Sequence, residues 1–259
     1  MSAPPSRRPP NRRDPNRRAP NRRAEEQARL AAEQASARRR ERRILVVALV
    51  AFVLLLVGGG IGFQAWRTNR TPTAAPAALP VASAPATISN ARPIVWGSAE
   101  APVTLSLYED FHCPHCAEFE EQFAGVLNKA QQSGQVRVEL YPMAFIDEGS
   151  TAAANGMACA AEAGFGPSYF AGLFANHTLQ WSDDQLIELA RVSGAEATPA
   201  FTTCVTSKAH AGWVESINTA ADQRGVTGTP TLFLDDKAVD VTGLTPTGLE
   251  TMIAEAAQK

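Results

Sequence analysis

The alternation of apolar and polar residues marks two strands that flank a helix in the middle of the chain. Val103–Tyr108 and Val136–Tyr141 each alternate apolar and polar side chains, which is the pattern of a half-buried strand. Between them, apolar residues recur at the three- and four-residue spacing of a helix, at Phe119, Phe123, Val126, Leu127 and Ala130. This order predicts a parallel pair of strands joined by a crossover helix.

The segment that follows, about 150–224, is predicted to be helical. It includes Ser182-Asp-Asp-Gln185, which has the pattern of a capping box at a helix start. The chain then returns to strands at Thr231–Leu234 and Ala238–Val241, and a last helix begins at Thr245-Pro246. The whole order predicts an α/β fold with a helical insertion.

A continuous apolar run, Ile44–Phe63, stands apart from these elements. Twenty apolar residues in a helix span about 30 Å, the thickness of the hydrocarbon core of a bilayer, and Trp66 follows at the position of an interfacial indole. We therefore predict a single transmembrane helix over residues 44–66. The alternative is a signal-peptide hydrophobic region over Ile44–Val57, although the basic segment before it is far longer than usual for such a peptide.

Charge is distributed unevenly along the chain. Residues 1–43 carry 14 Arg and five acids, residues 44–66 carry no charge, residues 67–90 carry two Arg, and residues 91–259 have a net charge of −13. The positive-inside rule places residues 1–43 in the cytoplasm and the C-terminal domain outside the cell membrane, as a single-pass protein. A folded domain this acidic is not expected to bind nucleic acid.

Both segments that flank the apolar run are low in complexity. Residues 1–43 contain Pro-Asn-Arg-Arg three times and too few apolar residues for a core, which predicts a disordered basic tail. Within it, residues 24–43 also have the composition of a juxtamembrane helix. The arginines are interpreted as topology signals, with binding to anionic lipid headgroups as the alternative. Residues 67–90, rich in Ala and Pro, are predicted to be a linker.

All four cysteines, Cys113, Cys116, Cys159 and Cys204, lie in the predicted exported domain, residues 91–259. An even number of cysteines in that location is typical of an oxidising compartment. Because Cys113 and Cys116 form a Cys-x-x-Cys pair, we expect the isolated Cys159 and Cys204 to form a structural disulfide with each other. The alternatives are a resolving thiol at one of these positions, or two free thiols.

The sequence Cys113-Pro-His-Cys116 falls in a strand-to-helix turn and has the pattern of a catalytic redox pair. Unpaired backbone N–H groups and the positive end of the helix dipole favour a thiolate at Cys113, and a thiolate is the nucleophile of thiol–disulfide exchange. Pro114 fits the first helical turn, and His115 adds a positive charge when it is protonated. Cys116, one turn further on, can close a disulfide with Cys113.

Three other interpretations of this motif stay open. In the first, Cys113–Cys116 is a static disulfide, although so short a loop gains little from closure entropy. In the second, the two thiols bind a metal together with His112 and His115, although four ligands within five residues cannot easily surround one ion. The third is a peptide-binding module without redox chemistry. For the redox interpretation we expect no metal and no dissociable cofactor.

The Cys-Pro-His-Cys motif, the order of strands and helices around it, and the distant Gly228-Thr-Pro230 segment resemble the DsbA-type thiol–disulfide oxidoreductases. The resemblance covers residues 91–259. It implies a thioredoxin fold with an α-helical domain inserted at about 150–224, preceded by the transmembrane helix. It also implies that Pro230 is cis and that the Thr229 backbone pairs with a substrate peptide.

Two positions depart from the family pattern. Many relatives carry Glu on the strand six residues before the first cysteine, where it serves proton transfer to the second cysteine, but this chain has Leu107 there. Glu109 and Asp110 are the nearest substitutes, and the residues alone do not decide between them. Thr229 before the expected cis-proline is also common in disulfide isomerases and reductases, so the direction of the reaction stays open.

The function implied by the resemblance is an extracytoplasmic enzyme that introduces disulfides into exported proteins with free cysteines, through the Cys113–Cys116 couple. A membrane partner would re-oxidise the couple, either of the DsbB type or similar to vitamin K epoxide reductase. The alternatives are a reductase or isomerase of the same fold and a metal-handling protein.

Overall fold

The computed structural model describes residues 22–73 and 84–258. Helix α1 (Arg22–Asn69) passes from a first unit, which ends at Gly62, into a second unit that contains the rest of the chain. Within α1, Arg38–Trp66 is long and apolar enough to cross a membrane, and an 18-residue window inside it has a mean hydropathy of 3.0. The large apolar side chains of this stretch are exposed, as expected of a helix whose surroundings are lipid.

Helix α1 is longer than the predicted transmembrane helix over residues 44–66. Residues 22–43 are helical, which contradicts the prediction of a disordered tail there and agrees with the juxtamembrane-helix composition of residues 24–43. Their Ala, Glu, Gln and Arg residues favour helix, and residues that adjoin a formed helix extend it without a new nucleation step. Residues 1–21 of the predicted tail lie outside the described residues.

The described parts of the predicted linker, residues 67–90, pack on the folded domain instead of standing off from it. The Asn176 side chain donates a 2.7 Å hydrogen bond to the Thr73 carbonyl and accepts a 2.9 Å bond from the Thr73 N–H. Ala86 N–H donates to the Ala161 carbonyl at 2.9 Å. The folded domain therefore includes residues before position 91, while residues 74–83 lie outside the described part of the chain.

A five-stranded sheet in the order β1-β3-β2-β4-β5 forms the centre of the domain. Strands β2 and β3 are parallel, as the crossover helix predicts, and the other three neighbouring pairs are antiparallel. The short β1 was not predicted, because three residues are too few for alternation to be recognised. The strands are β1 (Ile94–Trp96), β2 (Val103–Asp110), β3 (Val136–Met143), β4 (Thr231–Leu234) and β5 (Lys237–Val239).

Two helices cover one face of the sheet, and five helices form the insertion. On the covered face, Leu105 and Leu107 of β2 are buried in one cluster with Phe119, Phe123 and Leu249. The covering helices are α2 (Pro114–Gln132) and α8 (Pro246–Ala256). The insertion consists of α3 (Glu148–Glu162), α4 (Gly166–Ala175), α5 (Asp183–Val192), α6 (Pro199–Thr206) and α7 (Ala211–Arg224).

A disulfide between Cys159 of α3 and Cys204 of α6 joins two helices of the insertion, with a Cα–Cα distance of 5.9 Å. The predicted capping box is present at the start of α5, where the side chain and backbone groups of Ser182 and Gln185 bond reciprocally. The insertion, from Glu148 to Arg224, has almost the predicted limits.

Candidate active site

Cys113 is the N-cap residue of α2, with Pro114 at the first helical position. The end of β2 and the start of α2 therefore place this sulfur where helix N–H groups have no partner within the helix. Its Sγ lies 3.5 Å from the Thr229 carbonyl oxygen. Cys113 keeps 7% of its surface exposed, whereas Cys116 has none. Both thiols are free in this structure.

The surroundings of Cys113 favour its thiolate. A hydrogen bond from the Cys116 thiol is the largest contribution, and the Thr229 side chain and the N–H groups of His115 and Cys116 add further donors, against the opposing effect of burial. Together they lower the pKa of Cys113 from 9.0 to about 5. A thiolate at neutral pH is the form that attacks a disulfide or is displaced from one.

The surroundings of Cys116 act in the opposite direction. Burial is the main cause that raises the pKa of its thiol far above the ordinary value, and the hydrogen bond to Cys113 and the charge of Glu109 add to it. Two cysteines one helical turn apart therefore differ in their stable ionic form, with Cys113 as thiolate and Cys116 as thiol.

His115 acts on Cys113 through its backbone and not through its ring. The imidazole is exposed, and its Nδ1 lies 3.2 Å from Glu118 Oε2. The His112 imidazole is directed elsewhere, toward Asp147. The two histidine rings considered as metal ligands together with Cys113 and Cys116 therefore face different partners and do not converge on one ion. In the described part of the chain, the ligand atoms that do come together belong to Cys159, Cys204 and His210, and the two sulfurs among them are bonded to each other.

A buried hydrogen-bond network, not predicted from the sequence, holds the active-site turn against the insertion. The Asp110 carboxylate accepts bonds from His112 N–H at 2.9 Å, Ser150 Oγ at 2.7 Å and Phe145 N–H at 3.2 Å. The His112 Nδ1 and Asp147 Oδ1 atoms are 2.6 Å apart. Asp147 is also the N-cap of α3, the one sequence signal that could have indicated this position.

Gly149 makes room for this arrangement. A side chain at this position would collide with the His112 imidazole and with the Gln180 carbonyl. The His112 ring therefore packs directly against the first turn of α3, and the turn that carries Cys113 is fixed by contacts from two elements.

The structure distinguishes the two acids considered as substitutes for the missing strand Glu at Leu107. Asp110 is occupied by three donors. Glu109 is fully buried, and neither of its carboxyl oxygens has a hydrogen-bond partner among the described residues. Burial, followed by the nearby Glu120 and Cys113, raises the pKa of Glu109 well above its ordinary value. A neutral carboxyl thus lies close to the cysteine pair.

The Thr229–Pro230 peptide bond is cis, and it borders Cys113 through the Thr229 carbonyl. Phe145 and Ile146 are 55% and 45% exposed, and the Phe145 N–H belongs to the Asp110 network. An exposed apolar pair can form part of a peptide-binding surface, and alternation of polar and apolar residues does not predict it.

Comparison with solved structures places this fold among known proteins. Reduced DsbA and reduced DsbG from Mycobacterium tuberculosis and BdbD from Bacillus subtilis each superpose with a TM-score of 0.57, at 22%, 23% and 20% identity. The matches cover 65%, 66% and 69% of this chain and 93%, 90% and 98% of those chains. The shared architecture is the thioredoxin fold with a helical insertion.

The amino-acid sequence is similar to part of a kinase and matches one family model. Serine/threonine-protein kinase PknE of Mycobacterium tuberculosis is 26% identical over 216 residues, 75% of this chain. The matched part is 38% of the kinase, so the chain spans about two fifths of that relative's length. The thioredoxin family model matches residues 89–255, well over half of the chain. The protein is therefore a member of the thioredoxin family.

Proposed function

We propose that this protein is an extracytoplasmic thiol–disulfide oxidoreductase that introduces disulfides into exported proteins. The observation that carries the proposal is the different placement of the two thiols: Cys113 is the N-cap of α2 beside the Thr229 carbonyl, whereas Cys116 is fully buried. These surroundings favour a thiolate at Cys113 and a thiol at Cys116. Stabilising the reduced form in this way makes the disulfide form of the couple the stronger oxidant.

The reaction starts from the oxidised enzyme, with Cys113 and Cys116 joined. A substrate thiolate attacks the Cys113 sulfur, a mixed disulfide forms, and Cys116 leaves and takes up a proton. A second substrate thiolate then attacks the substrate sulfur of the mixed disulfide and displaces Cys113 as a thiolate. The substrate gains one disulfide, and the enzyme retains the two electrons as its reduced pair.

Substrate binding in this scheme uses two surfaces. The part-buried Thr229 backbone before the cis-proline borders Cys113 and offers an edge for pairing with an extended peptide. Phe145 and Ile146 offer exposed apolar area beside the Asp110 network. Such contacts suit unfolded chains, whose cysteines and apolar side chains are accessible, which is the state of exported proteins before their disulfides form.

The proposed location is the cell membrane, with Arg38–Trp66 as the anchor and the catalytic domain outside. The excess of Arg before this helix supports that orientation. Each cycle leaves Cys113 and Cys116 reduced, so a re-oxidant is required, and an anchored enzyme would meet a membrane partner of the DsbB or vitamin K epoxide reductase type. Alkylation of Cys113 in intact cells by a membrane-impermeant reagent tests the orientation.

The test of the function is oxidation of a reduced, unfolded protein by the oxidised enzyme. Cys113→Ser and Cys116→Ser should each abolish disulfide transfer, because neither variant can form the Cys113–Cys116 disulfide. Mixed with a protein that contains disulfides, Cys116→Ser should instead stop at a trapped mixed disulfide through Cys113. Glu121→Gln, a change at an exposed residue of α2, is the control. Full transfer by Cys113→Ser would overturn the mechanism. Equilibration with glutathione then gives the direction, since a potential near the −270 mV typical of thioredoxin would indicate a reductase.

A further inference from the structure

The chain is bonded to the folded domain within a few residues of the proposed membrane anchor. Trp66 is the last residue of the apolar stretch, and the Asn176 side chain already holds the backbone of Thr73 through bonds of 2.7 Å and 2.9 Å. The Thr73 hydroxyl donates a further bond to the same Asn176 oxygen at 3.2 Å. Asn176 is buried, with 4% of its surface exposed. A buried amide that both donates to and accepts from one residue fixes the position of that residue.

The residues just before Thr73 are held in the same way. Pro72 is buried, although it lies outside the helices and strands. The Gln185 side chain donates a 2.8 Å bond to the Arg70 carbonyl. Asn176 directly follows α4, and Gln185 lies in the first turn of α5. Residues 70–73, called the strap below, are therefore bonded to the insertion on both sides of the loop between α4 and α5.

The loop between α4 and α5 also borders the active site. The carbonyl of Gln180, in this loop, packs with the His112 ring against Gly149, and His112 directly precedes the first catalytic cysteine. At the start of the loop, His177 lines an open groove between α2 and α4 together with Pro114, the first residue of α2. The strap is thus attached on the side of the domain that carries the active site.

The strap shortens the free chain between the anchor and the domain. Thr73 lies seven positions after Trp66, whereas Ala86, whose N–H is bonded to the Ala161 carbonyl, lies 20 positions after it. Extended chains of these lengths reach at most about 25 Å and about 70 Å. Residues 91–259 have a net charge of −13, which opposes approach to anionic headgroups. Without the strap, the domain is therefore free to move away from the membrane.

We propose that the strap holds the catalytic domain at the membrane surface with its active site within reach of that surface, and that Asn176 is the positioning residue that fixes the strap. A membrane partner that presents a thiol or disulfide at the bilayer surface then meets Cys113 at a high effective concentration, because the free chain is short. The inference rests on the proposed membrane anchor and on the proposed redox chemistry of Cys113.

The test uses the reduced full chain in phosphatidylcholine vesicles, which carry no net charge. A small share of the lipid has a pyridyl disulfide on its headgroup, as a stand-in for a membrane partner. The Cys113 thiolate attacks the lipid-linked sulfur, a mixed disulfide forms, and pyridine-2-thiolate leaves, takes up a proton and is measured by its absorbance. This rate is divided by the rate with a soluble pyridyl disulfide in the same vesicles. The ratio reports how often the active site meets the membrane surface, independent of the reactivity of Cys113.

A matched pair of lengthened chains tests the strap without changing its contacts. Each receives the same flexible segment of about 13 Gly and Ser residues. Added after Asn69, before the strap, it lengthens the free chain from seven to 20 residues. The ratio should then fall by about fivefold, since effective concentration decreases as roughly the −3/2 power of length. Added after Ala78, beyond the strap, the same segment should leave the ratio unchanged.

Removal of the positioning side chain should have the effect of the longer chain. Asn176→Ala should lower the ratio by about fivefold, and it should make the ratio sensitive to the segment added after Ala78. Asn155→Ala is the control, because it removes another buried Asn of the insertion, one that is bonded to the Val205 carbonyl and the His210 N–H instead of the strap. This control should keep the ratio of the wild type.

Equal ratios for the two lengthened chains would overturn the proposal, and so would an Asn176→Ala ratio equal to or above that of the wild type. If Asn176→Ala does not fold, the two lengthened chains still decide, because both keep the Asn176 side chain. Failure of the proposed function has a different signature. A protein that does not float with the vesicles has no anchor, and one that does not react with the soluble disulfide lacks the thiol chemistry; either result removes the basis of the strap as well.

Discussion

The Cys113 thiol of the reduced protein should lose its proton near pH 5, about four units below an ordinary cysteine. At pH 7 such a thiol is about 99% ionised. Relative to a thiol with a pKa of 9, linkage gives the reduced protein about 3 kcal/mol of additional stability at this pH. Cys113 keeps some solvent contact, and screening reduces the gain to about 2 kcal/mol.

The pH dependence of this stabilisation follows from the fact that the pKa of Cys113 is lower in the folded protein than in the unfolded chain. The stabilisation is fully present above the pKa of the unfolded thiol and is lost as the pH falls through about 5. Because only the reduced form contains the thiolate, the gain raises the reduction potential of the couple by roughly 40 mV at pH 7. The direction agrees with the proposed oxidase.

The test removes the largest contribution to the lowered pKa of Cys113, which is the hydrogen bond from the Cys116 thiol. Cys116→Ala should raise the pKa of Cys113 toward its ordinary value, whereas Cys116→Ser, which keeps a donor, should change it much less. The assay is the rate of alkylation by iodoacetamide from pH 3 to 9, with the ultraviolet absorbance of the thiolate as a second measurement. A wild-type midpoint near 9, or equal midpoints for the Ala and Ser variants, would refute the reasoning.

Three further predictions concern stability. The Cys159→Ala/Cys204→Ala variant should lose about 4 kcal/mol of unfolding free energy in urea, because the disulfide closes a loop with a sequence separation of 45; a loss below about 1 kcal/mol would contradict the loop-entropy account. His112→Ala should lower the unfolding free energy by about 1–3 kcal/mol by removing the partly buried hydrogen bond to Asp147, and an unchanged melting temperature would be contrary to this expectation. The raised pKa of Glu120 means that stability should fall as pH rises from about 4.5 to about 8; Glu120→Gln should flatten that slope in urea titrations at several pH values, and an equally steep slope would show that other groups cause it.

Much of the fold could be predicted because its signals are local. Alternation identified β2 and β3, and the capping pattern at Ser182 identified the start of α5. The Cys113-Pro-His-Cys116 motif lies where the sequence changes from the strand period to the helix period, so its position at a helix N-terminus followed from the pattern alone.

The rest depends on contacts between distant residues. Glu109 and Asp110 are both acidic neighbours, and only the fold shows that Asp110 meets three donors while Glu109 meets none among the described residues. Likewise, nothing near His112 indicates that its partner is Asp147, 35 positions away. Helix α1 extends beyond the predicted transmembrane helix for a different reason, since an apolar run marks the part of a helix that is suited to a membrane and not where the helix begins or ends.

The replacement of the family's strand Glu by Leu107 and the different pKa values of the two thiols both concern the proton that Cys116 takes up. Since Cys113 is stable as a thiolate, it can attack or leave without exchanging a proton at neutral pH. Cys116 is stable only as a thiol, so each reduction of the pair brings one proton into a buried site and each re-oxidation removes it. A Leu at position 107 cannot carry that proton. The neutral acid on the same face of β2 as Leu107 is Glu109, whose buried carboxyl has no hydrogen-bond partner among the described residues.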